Sequence, residues 1–273
     1  MSGSNIRKPA AAGRFYPGSS HQLKNQIEGF IDKKTKRRDV IACMLPHAGY
    51  DYSGSVAAET VSRINIKDTL ILLGPNHTGY GADFSIVTAG SWETPLGEVA
   101  IDWQFAQEIL KCSKFLKDDP TAHAYEHSLE VELPLFQYFK PDIKIIPMVF
   151  LSDDISALKE IGQDIACAIK EAKLSSSVLI VASSDMTHYE PQKEAEAKDR
   201  EAIKAILELN EDKLVEKITR LNISMCGYAP VIVMLAAVKK LGAAGAELVK
   251  YQTSGDVSGD TDAVVGYAGI TIY

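Results

Sequence analysis

Three apolar runs in this chain each empty into a histidine. Ile41-Ala-Cys-Met-Leu-Pro46 is followed at once by His47. Thr69-Leu-Ile-Leu-Leu leads into Gly74-Pro75-Asn76-His77. Ser177-Val-Leu-Ile-Val-Ala leads into Ser183-Ser184-Asp185-Met186-Thr187-His188. Imidazole is the commonest metal ligand and a general base near neutral pH. The whole chain holds only 6 histidines, so three at equivalent positions form a pattern. Continuous apolar runs read as strands buried on both faces. Open α/β sheets bind ligands at the carboxyl ends of their strands. His47, His77 and His188 are therefore expected to converge on one cleft, as metal ligands or as catalytic bases. Any one of them alone would be a hydrogen-bonded turn residue.

Other residues gain interest in that company. Asp185 precedes His188 by three positions, a spacing at which a carboxylate could orient an imidazole and fix its tautomer. The competing reading is that Asp185 caps the turn. Cys226 precedes Gly227 at the expected start of an apolar helix, where a thiolate is favoured. Alone it would be a small buried apolar residue. His123-x-x-Glu126-His127 matches the inverted zinc-peptidase pattern, which needs both histidines on one helical face. Pro120 and Pro134 flank that run and weaken the helix. Gly74 to Gly79 has glycine spacing like a phosphate loop, but Tyr80 stands where the lysine belongs. The acidic loop from Asp256 through Asp260 to Asp262 lacks calcium-loop spacing.

The elements that must hold these residues alternate along the chain. An irregular arm with Gly13, Phe15, Tyr16 and Pro17 precedes a helix expected over about 21–34. A small-residue helix follows from Ser53. A hairpin is expected from 84–89 and 97–102 around Trp92 and Gly97. Helices are expected near 103–112, from the Glu126 segment to about 139, and at 153–173, 191–208, 211–219 and up to about 240. A strand spans 143–150, and two more close the chain at 246–254 and 264–272. This alternation predicts an α/β fold, one domain over 1–273, with a largely parallel central sheet and helices on both faces.

Composition narrows the function. The chain has 273 residues, 46% of them hydrophobic, and a net charge of -7. Its basic residues are scattered apart from Lys33-Lys34-Thr-Lys36-Arg37-Arg38, which reads as the solvated end of a helix. Nucleic acid is not an expected partner. The longest apolar run, Val231–Val238, is far short of a membrane span, and no signal sequence opens the chain. The four cysteines form no paired motif, so free thiols and a cytoplasmic location are expected.

The motifs together resemble the Memo family. They are Pro46-His47-Ala-Gly-Tyr50, Gly74-Pro-Asn-His77, Glu126-His127-Ser-Leu-Glu130, Ser184-Asp185-Met-Thr-His188 and Met225-Cys226-Gly227, in that order. The likeness runs from about residue 7 to the C-terminus. That family is similar in fold to the LigB-type extradiol dioxygenases, which use non-haem iron. The resemblance implies that His47, His77 and Cys226 bind one transition-metal ion, and that His188 is the acid/base with Asp185 beside it. It places Glu126, His127, Asn76 and Tyr50 near the substrate or behind the ligands. Extradiol enzymes use two histidines and a carboxylate. A thiolate in that place favours Fe(II) or Cu, with Zn competing. The implied activity is a dioxygenase-like oxidoreductase. The alternative is a binding module that captures a small molecule or a peptide in the same cleft, with Tyr50 and Tyr189 as stacking surfaces. In animals the family is linked to cell-motility signalling and phosphopeptide binding.

Overall fold

The apolar runs that read as buried strands do lie side by side. The computed structural model describes residues 6–31 and 35–273. In chain order the strands are β1 (Ile6–Arg7), β2 (Ala42–Leu45), β3 (Thr69–Pro75), β4 (Phe84–Ile86), β5 (Ser91–Thr94), β6 (Gly97–Ala100), β7 (Lys117–Asp118), β8 (Lys144–Phe150), β9 (Val178–Ser183), β10 (His188–Glu190), β11 (Ala246–Thr253) and β12 (Val264–Ile272). The helices are α1 (Ser20–Phe30), α2 (Tyr50–Ser62), α3 (Trp103–Cys112), α4 (Ser128–Phe139), α5 (Ile155–Glu171), α6 (Gln192–Leu207), α7 (Glu211–Leu221), α8 (Tyr228–Leu241) and α9 (Ser254–Ser258). The first helix stops at Phe30. Residues 32–34, its expected end and the start of the Lys33-Lys34 cluster, lie outside the described residues.

The large sheet runs β10-β12-β2-β9-β3-β8-β4-β7, with β11 also paired to β12. Its centre, β2-β9-β3-β8, is parallel throughout. Antiparallel strands flank it: β12 against β2, and β4 against β8. The expected parallel α/β sheet is thus found with mixed edges. All seven residues of β3 are buried, as a central strand covered on both faces requires. Each wholly buried leucine or isoleucine here contributes about 1.5–3 kcal/mol.

Helix α8 lies on β3, β9, β8 and β2, with α5 packed against it. Its residues Ala229–Val238 are all buried, so it is apolar around its circumference. Helix α5 instead buries one stripe, including Leu158, Ile161, Ile165 and Ile169. Gly162 lets the two helices close up, since a Cβ there would meet the Val233 carbonyl. Helices α2 and α4 pack on strands of the sheet and on each other. Among the described residues no helix is long and apolar enough to cross a membrane.

One local expectation changes and another holds. The hairpin is β5 with β6, not 84–89 with 97–102. Phe84–Ile86 is buried at every position, so it joins the main sheet beside β8. The helix expected to about 139 is found as α4, which reaches Phe139 with Pro134 inside it.

Candidate metal centre

Strands β2, β9 and β3 are neighbours, so their carboxyl ends open on one spot. His47 follows β2, His77 follows β3, and Asp185 follows β9. Cys226 arrives from elsewhere, on the turn that opens α8. That turn presses on the end of β9: the Gly227 N–H donates to Ser184 Oγ at 3.0 Å. A Cβ on Gly227 would collide with the Ser183 carbonyl and with Ser184. Gly227→Ala is therefore expected to push the Cys226 turn off the sheet and to cost about 1–3 kcal/mol by overpacking. Urea denaturation measures it, and an unchanged midpoint would mean that the turn yields freely.

The His47 Nε2 and Cys226 Sγ atoms are 3.4 Å apart. Ligand atoms of His47, His77 and Cys226 all lie within 4.8 Å of one another. Tetrahedral ligation with metal–nitrogen bonds of about 2.0 Å and metal–sulfur bonds of about 2.3 Å places nitrogen and sulfur roughly 3.6 Å apart. The donors fit such an ion in type and spacing.

Each histidine is oriented from behind. His47 Nδ1 meets Ser183 Oγ at 2.8 Å. That hydroxyl gives its proton to the Ser128 carbonyl at 3.0 Å, so it accepts from His47 Nδ1–H. The Nε2 lone pair is left facing Cys226. His77 Nδ1 meets Glu126 Oε1 at 3.0 Å, which leaves its Nε2 free in the same way. A carboxylate behind a ligating imidazole is a common arrangement at metal sites. His47 is buried. Burial, with the charges of His77 and His127 added, holds its pKa well below the usual imidazole range, so it is neutral and able to coordinate. Burial, with the Asp185 charge added, pushes the Cys226 thiol up. The thiol must release its proton when an ion binds.

Glu126, His77 and His127 form a second cluster of donor atoms. The Glu126 carboxylate is already used. Oε1 accepts from the His127 and Ser128 N–H groups at 2.8 Å each, and Oε2 accepts from the His77 N–H at 2.5 Å. Burial works against its charge, but the His77 hydrogen bond and charge, with help from Ser128 and His127, hold its pKa down at about 2. It organises two histidines and has little left for an ion. The His127 ring stacks on His77 at 4.9 Å and meets His47 edge-on at 5.5 Å. His127 therefore stands in the ring cluster itself, closer in than its motif indicates.

The other expected residues divide. His188 Nδ1 meets the Ser224 carbonyl at 2.9 Å, and its N–H donates to Ser224 Oγ at 2.8 Å. Asp185 does not orient it. Its Oδ1 instead accepts from the N–H groups of His47 and Ala48, at 2.9 and 3.3 Å, and so braces the β2 turn. The reason is local: residue 188 begins a strand paired to β12, where a three-residue spacing does not share a face. Asn76 ties its own loop together, accepting from Thr78 and Gly79 and donating to the Tyr80 carbonyl. Tyr50 is buried and donates to the Val131 carbonyl at 2.9 Å, so it cannot stack on a ligand in the cleft. Tyr189 is 77% exposed, next to His188. His123 and His127 share no helix. His123 ends a 3-10 turn, Pro120–His123, whereas α4 begins at Ser128. His123 Nε2 faces Ser85 Oγ at 3.1 Å, and His123 belongs to neither donor cluster. The zinc-hydrolase reading falls on that geometry.

Sequence reasoning missed Ser183 and Ser224, the two groups that orient His47 and His188. It also assigned no role to Glu130 or Glu132 on α4. Two carboxylates on a helix otherwise buried along most of its length were the signal for both.

Fold and cluster together define an α/β protein with a His/His/Cys donor set at the carboxyl ends of adjacent parallel strands. The family model described as Memo-like protein matches residues 7–271. A MEMO1 family protein of Methanopyrus kandleri is 41% identical over 278 residues, covering 97% of this chain and 98% of its own length. One from Methanocaldococcus jannaschii is 43% identical over 282 residues, covering 96% and 97%. One from Methanosarcina mazei is 42% identical over 269 residues, covering 98% and 99%. The chain belongs to the Memo family.

Proposed function

We propose that this chain is a metal-dependent oxidoreductase in which His47, His77 and Cys226 hold one transition-metal ion. Fe(II) or Cu is favoured by the mixed imidazole and thiolate donors, with Zn as the competitor. The observation that carries this reading is the convergence of two Nε2 lone pairs and one thiol, with both imidazoles oriented through Nδ1. A bound ion would supply Lewis acidity or electron transfer toward a substrate or oxygen.

The chain's own residues supply the rest. Ser183 and Glu126 keep His47 and His77 in the ligating tautomer. Ser224 takes the Nδ1–H of His188, which leaves Nε2 as the atom that accepts or returns a proton at the substrate. Asp185 holds the His47 turn in place. The likeness to extradiol dioxygenases supports the oxidoreductase class. The thiolate departs from their ligand set, so ring cleavage itself is not part of the proposal. A cytoplasmic location suits a site that needs a reduced Cys226.

Tag-free protein, reconstituted anaerobically with Fe(II) or Cu(I), should retain one ion per chain and take up oxygen with catechols or other small reductants. His188→Gln should keep the ion and lose at least about 100-fold in uptake rate, the lower end of what an acid/base contributes. Uptake that survives His188→Gln removes that residue from the chemistry. A second reading has its own support in the exposed Tyr189: the cleft captures a peptide or small molecule without turnover. Ligand retention by His47→Ala, together with no oxygen uptake by any metal form, would favour it.

A further inference from the structure

Glu132, on α4, belongs to neither cluster of donor atoms. It is completely buried. Among the described residues it is the buried carboxyl whose two oxygens both lack a hydrogen-bond partner. It lies one helical turn beyond Ser128, whose carbonyl accepts from Ser183 Oγ. Its carboxyl faces that same Ser183, outside hydrogen-bond geometry. Ser183 in turn holds His47 Nδ1. One hydroxyl thus separates Glu132 from a metal-facing imidazole.

We infer that Glu132 balances the charge of the metal centre: it is a neutral carboxylic acid while the cluster holds no metal, and it gives up its proton when a divalent cation binds. This rests on the metal-binding reading of His47, His77 and Cys226. An unpaired buried carboxylate is strongly disfavoured, and among the described residues no cation faces Glu132. The titratable groups around it are Cys43 on β2, Tyr50 on α2 and Asp185 after β9, none of which supplies positive charge. Burial, with the Asp185 charge added, holds Glu132 well above the usual carboxylate range.

A divalent ion changes that balance. Cys226 loses its S–H proton and cancels one of the two positive charges. Asp185, whose Oδ2 lies 4.0 Å from His47 Nε2, and Glu126, behind His77, carry their charges with and without the ion, so the ion's second charge is a net change beside a buried His47, where charge interactions are strong. Glu132 then loses its O–H proton, and both protons leave to the buffer. The net charge of the buried region is the same before and after. Asp185 is less suited to the part, because its Oδ1 is already committed to two backbone N–H groups.

The test is calorimetric titration of chelator-stripped protein with Zn(II), a redox-silent probe, in buffers of different ionisation enthalpy. Wild type should release one proton more than Glu132→Gln while both bind one ion. Equal proton release with binding retained overturns the inference. Failure of wild type to bind Zn(II), Fe(II) or Cu(I) removes the metal reading and this inference with it. Infrared difference spectra of wild type need no variant. Zn(II) should bleach a protonated-carboxyl C=O band, and a band that persists in the loaded protein also overturns the proposal.

Discussion

Cys226→Ser is expected to lower affinity for Zn(II) or Fe(II) by more than about 100-fold, beyond the 10–100-fold that follows loss of an outer partner. Serine matches cysteine in shape, so the fold survives and the loss is one of donor chemistry. A hydroxyl at this position is not deprotonated by the ion as a thiol is. Two consequences separate this from general damage. Metal-free wild type and metal-free Cys226→Ser should melt together. Metal added at 100 times the wild-type Kd should stabilise wild type by about 2.7 kcal/mol, with almost no effect on the variant. Competition with a coloured chelator gives the affinities, and calorimetric scanning gives the melting points. Unchanged metal affinity in Cys226→Ser would move the site to the Glu126, His77 and His127 atoms, the other donor cluster.

The convergence of His47 and His77 was legible because strand chemistry is local. A continuous apolar run announces a covered strand, and the residue past its end lies in the cleft. Cys226 was visible as a thiol at a helix start, but only the family resemblance joined it to the histidines, since nothing near residue 226 says that the α8 turn presses on the end of β9. Gly227 makes that approach feasible, and its reason, the Ser183 carbonyl, is more than forty positions upstream. Partners chosen by tertiary contact stayed hidden for the same cause. Asp185 reads as a partner of His188 by spacing, yet it takes the N–H of His47, 138 residues away. Tyr50 reads as an aromatic at the cleft because it follows the His47 turn. As the first residue of α2 it points into the core instead. The doubt that Pro120 cast on a zinc helix at His123 and His127 was also legible, since that proline opens the 3-10 turn that stops at His123.

Glu130→Ala is expected to destabilise the chain by about 3–5 kcal/mol, the usual result of removing one partner from a buried ion pair. Glu130 is completely buried and fully used. Oε1 accepts from Tyr16 Oη at 2.6 Å and from the Ala11 N–H at 2.8 Å. Oε2 accepts from Arg7 Nη1 at 2.7 Å and from the Ala10 N–H at 2.8 Å. The alanine variant strands two backbone donors, a phenol and a guanidinium, none of which recovers water without peeling the arm from α4. The fall in Tm should be roughly 6–20 °C, at about 2–4 °C per kcal/mol for a domain near this size. The effect should also reach the metal. Arg7 donates Nε to the His123 carbonyl and Nη2 to the Glu126 carbonyl, at 2.7 and 2.6 Å. An arm that leaves α4 releases the backbone that presents Glu126 to His77. Metal affinity should therefore fall in Glu130→Ala below the melting transition, by less than in Cys226→Ser. A variant that melts early but binds metal as wild type does would show that the arm supports the fold alone.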